Sequence, residues 1–150
     1  MVAHPGWREN HPPVRLVLAR YPAQPASVHH PPHMDRTVLI VDDHAEFRTS
    51  ARALLVAEGW TVIGEAASGA EGVRLVAQLR PAVVLLDIAL PDQDGFRVAD
   101  ALALELDPPH VVLVSSRDAR AYGRRIVQAP VRGFLPKQRL SGEALADLLP

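Results

Sequence analysis

Six side chains stand where short apolar runs give way to polar sequence. Asp42 and Asp43 follow "TVLIV", Asp87 ends "AVVLLD", Ser115 and Ser116 close "HVVLVSS", and Lys137 comes just after "VRGFL". Three carboxylates brought to one place repel one another, and a bound divalent cation relieves that repulsion. A site built from oxygen ligands suits Mg²⁺ or Mn²⁺ rather than zinc. The chain has no cysteine, which excludes thiolate metal ligands, disulfides and a cysteine nucleophile, and which suits a reducing cytosol. Taken singly, each residue also has a plain structural explanation. Asp42, Asp43, Ser115 and Ser116 could cap the helices that follow them, Asp87 could form a strand-end turn, and Lys137 could be a solvated surface charge. Their joint occurrence at strand ends favours a site.

Convergence requires elements that deliver these residues to one edge. "TVLIV" at 37–41 is a continuous branched apolar run, of the kind buried on both faces of a parallel sheet. Phe47, Ala51, Leu54 and Leu55 then recur at helical spacing, and Gly59 supplies a stop. The pattern repeats as a strand at 61–66, a helix at 69–79 ended by Pro81, and a strand at 82–87. A helix at 95–106 before Pro108-Pro109 and a strand at 110–116 follow. Residues 118–128 are weakly helical, 131–135 form a short fifth strand, and 141–149 close with a helix. Five strands alternating with five helices predict a doubly wound α/β fold, in which ligands bind beyond the carboxyl ends of the strands. If the order is the flavodoxin-like 2-1-3-4-5, strands one and three are neighbours and their aspartates meet.

Composition sets the bounds. A chain of 150 residues that is 48 % hydrophobic and 22 % charged fits one domain with a sizeable core. Its formal net charge of −1 offers no global positive field for nucleic acid, and no basic cluster is expected in the ordered part. The longest apolar runs fall far short of the roughly 20 residues of a membrane helix, so no membrane partner is expected. Residues 1–35 hold seven of the fourteen prolines and five of the seven histidines (His4, His11, His29, His30 and His33) without periodicity. This Pro/His-rich stretch is expected to be a disordered tail, its histidine spacing matching no compact metal site. Met34 is a candidate alternative start.

Four motifs in order resemble the receiver domain of two-component response regulators: "VLIVDD" at 38–43, "LLDIALPDQDG" at 85–95, "LVSS" at 113–116 and "GFLPK" at 133–137. The resemblance covers residues 36–149, and the 44 residues from Asp43 to Asp87 and 22 from Ser115 to Lys137 match the family. It implies a receiver domain over 36–150 that accepts a phosphoryl group on Asp87 as an acyl phosphate. For this, the Asp87 carboxylate is expected to be ionised and exposed. It further implies Mg²⁺ held by Asp42, Asp43, Asp87 and the backbone carbonyl of Ala89, with Lys137 and the Ser115 hydroxyl on phosphoryl oxygens.

Ser115 and Phe134 would be the moving parts of a switch on the face of helix four, strand five and helix five. The implied partners are a sensor histidine kinase or phosphotransfer protein and a downstream protein bound by that face. Nucleic acid is not expected to bind this chain, and the location is expected to be cytoplasmic. The domain would be a phosphoacceptor rather than an enzyme, with slow self-dephosphorylation at most. A pseudo-receiver, acting as a phosphorylation-independent interaction domain, would have no need of the full set of site residues. An aspartyl-nucleophile phosphatase would want an acid two positions after Asp87, where this chain has Ala89. Ser116 in place of a small apolar residue and Pro136 immediately before Lys137 depart from the common pattern, and the fourth helix, which carries Gly123 and several arginines, is the weakest of the expected elements. No output domain follows Pro150, so the chain is expected to be a stand-alone receiver or a piece lacking its DNA-binding part.

Overall fold

The computed structural model describes residues 36–150. The expected tail at 1–35, with its histidines and Met34, lies outside the described residues. Five parallel strands, β1 (Thr37–Val41), β2 (Thr61–Ala66), β3 (Val83–Asp87), β4 (His110–Ser115) and β5 (Gly133–Pro136), form one sheet in the order 2-1-3-4-5. Between and after them run α1 (Ala45–Ala57), α2 (Gly69–Leu79), α3 (Gly95–Leu102), α4 (Arg124–Gln128) and α5 (Gly142–Asp147). Short 3₁₀ turns at Ala119–Ala121 and Lys137–Arg139 complete the chain. The flavodoxin-like expectation is met.

Side chains alternate across a strand, so the apolar runs feed two cores at once. Leu39, Val41, Val84, Leu86 and Leu113 face α2 and α3, meeting Val76, Phe96, Val98 and Leu102. Val38, Ile40, Val83, Leu85, Val112 and Val114 face the other way, onto Ala51 and Leu55 of α1, Leu145 of α5, and Trp60. Each fully buried aliphatic side chain contributes about 1.5–3 kcal/mol, which is why the central strands contain almost nothing else. The register carries the chemistry with it. β1 pairs with β3 from Val38↔Val83 to Val41↔Leu86, so Asp42 and Asp87 leave the sheet side by side. Ser115 pairs with Pro136 at the end of β4–β5, which sets Lys137 at the same edge.

Several boundaries differ from expectation, each for a local reason. α3 stops at Leu102 rather than 106, because Leu104 and Leu106 fall off its buried face and are almost fully exposed. The preference of Asp107 for extended backbone before Pro108 adds to the break. The weak helix at 118–128 is a 3₁₀ turn and a five-residue α4 separated by Gly123, whose φ of +54° suits glycine. β5 spans 133–136 rather than 131–135. Pro136 is tolerated because β5 is an edge strand and needs no N–H on its open side. α5 is shorter at both ends than the expected 141–149, since Ser141 is its N-cap, accepting from the Ala144 N–H at 2.9 Å.

Candidate functional site

The site begins where β1 runs out. Asp42 extends the pairing with β2 by donating its N–H to the Ala66 carbonyl at 2.9 Å, and its side chain is wholly buried. Its Oδ1 accepts the His44 N–H at 2.8 Å and lies 3.0 Å from His44 Nδ1, turning the chain toward α1. The Arg48 guanidinium donates to the Asp42 carbonyl at 2.6 Å and pairs with Glu65 at 3.0 Å, fixing the first turn of α1 against β2. Arg52 joins at 2.6 Å, and these arginines hold the Glu65 carboxyl below its ordinary range. Neither Asp42 nor Asp43 caps α1 in the ordinary way. The N-cap residue is His44, with no side-chain cap bond.

Asp87 ends β3, and β4 keeps the backbone beyond it in line through the Ile88 N–H to the Val114 carbonyl, 3.1 Å. The return loop closes through the Gly95 N–H to the Ile88 carbonyl at 2.8 Å. Gly95 is required there, since a Cβ would stand 2.4 Å from the Asp87 carbonyl oxygen and 2.7 Å from Ile88 Cα. Contrary to expectation, the Asp87 carboxylate is not exposed. The residue is 2 % accessible, at the end of a strand that lies between β1 and β4 in the sheet. Burial, and then the Asp42 charge, push its carboxyl above the ordinary value, against the pull of Lys137 and of the Ala89 N–H, which donates to Asp87 Oδ1 at 3.2 Å.

Lys137 is no solvated surface charge. Its Nζ lies 2.7 Å from Asp42 Oδ2 and 3.4 Å from Asp87 Oδ2, and 4.6 Å from the centre of the Phe47 ring. The first contact is a close ion pair without hydrogen-bond alignment, since Asp42 Oδ2 has no hydrogen-bond partner. One ammonium thus serves two buried carboxylates, which leaves the site short of positive charge. Asp43, at the rim and one-third exposed, completes the acidic group, with its Oδ1 3.3 Å from His44 Nδ1. Ligand atoms of Asp42, Asp43, His44 and Asp87 all lie within 4.8 Å of one another. Hard oxygen donors with a charge deficit fit a small divalent cation. His44, which the sequence analysis passed over, adds an imidazole at the same rim; its position directly after the paired aspartates was the available signal.

Ser115 and Phe134 are joined by a residue that the sequence analysis also missed. The Ser115 hydroxyl, buried at the end of β4, shares a 2.7 Å hydrogen bond with the Tyr122 hydroxyl and accepts the Arg117 N–H at 3.0 Å. The Tyr122 ring packs between Phe96 and Phe134, with centroids 6.0 and 6.1 Å away. Among the described residues, no hydrogen bond of Ser115 reaches Asp87. Nor does either serine cap the following turn, whose N-cap is Asp118. Tyr122 was legible only as an aromatic with a polar handle seven residues after Ser115.

The expectation of no basic cluster in the ordered part does not hold. Seven of the sixteen basic residues fall within 117–139, against one acidic residue, Asp118. The balance conceals the cluster because the acids lie elsewhere in the chain. Among the described residues, no helix is long and apolar enough to cross a membrane.

Comparison with known proteins agrees with this architecture. The family model of the response regulator receiver domain matches residues 38–148. The transcriptional regulatory protein LiaR of Bacillus subtilis is 34 % identical over 115 residues, covering 75 % of this chain and 53 % of LiaR. The response regulator GacA of Pseudomonas viridiflava is 33 % identical over 113 residues, covering 75 % of this chain and 51 % of GacA. The chain therefore spans about half the length of the curated relatives it matches. Among solved structures, the signal receiver domain of NarL from Mycobacterium tuberculosis superposes with a TM-score of 0.67 at 35 % identity, covering 74 % of this chain and 93 % of that one. With a family model spanning most of its length and the fold and acidic strand ends to match, the chain belongs to the response regulator receiver domain family.

Proposed function

We propose that the domain accepts a phosphoryl group on the Asp87 carboxylate and passes the event to a partner through residues 117–149. The observation that carries this reading is the convergence of Asp42, Asp87 and Lys137 at the ends of β1, β3 and β5, with Nζ within 3.4 Å of both carboxylates. The donor would be the phosphohistidine of a sensor kinase or phosphotransfer protein. An Asp87 oxygen attacks phosphorus, the new O–P bond forms as the N–P bond breaks, and the electron pair returns to the departing imidazole. Such transfers need alignment and charge neutralisation more than covalent help.

Asp42, Asp43, Asp87 and the Ala89 carbonyl would hold Mg²⁺, which when bound supplies charge neutralisation for the transferring oxygens. The chain's own residues do the rest. Lys137 swings its ammonium from Asp87 Oδ2 to a phosphoryl oxygen, keeping Asp42 as its anchor. Ser115 leaves Tyr122 and donates to another phosphoryl oxygen. Phe134, packed on Tyr122, turns as that hydrogen bond breaks. A phosphoacceptor of this kind has no substrate turnover of its own beyond slow self-dephosphorylation. The reading places the domain in the cytoplasm. The retained set of Asp42, Asp43, Asp87, Ser115 and Lys137 weighs against a phosphorylation-independent interaction domain.

Incubation with acetyl phosphate and Mg²⁺, followed by intact mass measurement, is expected to show one added phosphoryl group. The addition is lost in Asp87→Ala or on chelation. Persistent labelling of Asp87→Ala overturns the assignment.

A further inference from the structure

Of the seven basic residues gathered within 117–139, Lys137 and Arg125 are spent on internal ion pairs and four others are not. Arg117, Arg120, Arg124 and Arg139 are exposed, and none forms an ion pair among the described residues. Two of them share a concavity. Arg117 and Arg139 line an open cleft of about 580 Å³ with Ala119, Phe134, Pro136 and Gln138. Asp118 also borders it, but its Oδ1 is occupied by the Arg120 N–H at 2.8 Å. The cleft therefore combines two free guanidinium groups with an apolar surface made by Ala119, Phe134 and Pro136.

We infer that this cleft is a docking site for an acidic segment of a protein partner, with carboxylates on Arg117 and Arg139 and an apolar side chain against Phe134 and Pro136. The inference rests on the reading of residues 117–149 as the output face and gives that face a chemistry. Arginine favours carboxylates because its planar fork can bind them through two parallel hydrogen bonds. Charge distribution selects a short segment over a nucleic acid. Outside 117–139 the described residues carry fourteen acidic against six basic side chains, so a long polyanion meets repulsion beyond the patch while a short peptide does not. The cleft is also wired to the site. Its Phe134 packs on Tyr122, whose hydroxyl holds Ser115 at 2.7 Å, so movement of Ser115 reshapes the cleft.

The test uses the full chain and three labelled probes: a peptide alternating Glu and Leu, its Gln-for-Glu counterpart, and a single-stranded oligothymidine. Fluorescence anisotropy is measured at low and moderate salt, with and without acetyl phosphate and Mg²⁺, and intact mass is recorded on the same samples. The acidic peptide is expected to saturate, with the Gln peptide at least tenfold weaker. Combined Arg117→Glu and Arg139→Glu loses at least tenfold, while Arg97→Glu, an exposed arginine outside the cleft, does not. If the reversal unfolds the domain by circular dichroism, Arg117→Gln with Arg139→Gln replaces it and is expected to weaken binding in the same direction. Unchanged affinity in the folded cleft variants, or no saturable peptide binding in either state, overturns the inference. So does tighter oligothymidine binding that displaces the peptide. A chain that takes phosphate but binds the peptide in neither state refutes the docking site alone. A sample that binds the peptide but takes no phosphate refutes the phosphoacceptor reading instead.

Discussion

Replacing Asp87 by Asn should make the metal-free domain more stable at neutral pH. The side chain is 3 % accessible, and the charges around it nearly offset one another. With an effective dielectric constant of about 20, attraction to Lys137 at 3.4 Å is roughly 5 kcal/mol. Repulsion from Asp42, no more than 4.8 Å away, is at least roughly 3.5 kcal/mol, and Asp43 adds more. The cost of taking the charge out of water is therefore left largely uncompensated, in line with the raised Asp87 carboxyl. Because the folded-state value is raised, the native protein holds this proton longer than the unfolded chain does. Stability falls as pH climbs from the ordinary value of 3.8 through the raised one, and the deficit is complete above it. The neutral amide of the Asp87→Asn variant has no such deficit, and Lys137 keeps Asp42 as its partner.

A gain of about 1–2 kcal/mol is expected, or roughly 4–8 °C in melting temperature at pH 7 in chelator. The difference should vanish at pH values below 3.8, where wild type is protonated in both states. Added Mg²⁺ should raise wild type and leave the variant nearly unmoved, since binding to the native state alone stabilises it. Thermal unfolding followed by circular dichroism, in chelator and in Mg²⁺ across pH, reads all of this. A variant that melts below wild type at pH 7 in chelator would refute the reasoning, because it would mean that the Lys137 pair outweighs burial.

Tyr122→Phe keeps the ring between Phe96 and Phe134 but removes its hydroxyl from Ser115, which should cost about 1 kcal/mol in urea unfolding. Once Ser115→Ala is present, the same change should cost little, because the two hydroxyls serve each other. Glu65→Gln should destabilise by about 1 kcal/mol at pH 7 through loss of the Arg48 and Arg52 pairs. Glu65 is lowered in the fold, so its contribution is present above 4.5 and disappears as pH falls through the folded value; the variant and wild type should converge there. Gly95→Ala should cost about 1–3 kcal/mol and, in the phosphorylation assay, slow labelling, since a Cβ 2.4 Å from the Asp87 carbonyl must displace the strand end or α3.

The elements and the candidate site residues were legible from one-dimensional order because their causes are local. A buried parallel strand must be apolar on both faces, so "TVLIV" and "VVLL" announce themselves, and the aspartates that end them are conspicuous against that background. Where burial exerts no such pressure, the reading slipped. Leu104 and Leu106 look like more helix but point into solvent, and 118–128 breaks at Gly123 because α4 has few contacts to dictate its pitch.

What no spacing along the chain reveals is which polar atom meets which across strands that are distant in sequence. The roles of His44 and Tyr122, the burial of Asp87 and the sharing of Lys137 between two carboxylates all depend on side chains converging from different strand ends. The exposed arginines of 117–139 are present in the sequence, but that two of them border one apolar cleft is not. Linear order determined which chemical groups arrive at the sheet edge. Packing decided their distances, and in a buried site distance and desolvation set the charge, the partner and the freedom to move of each group.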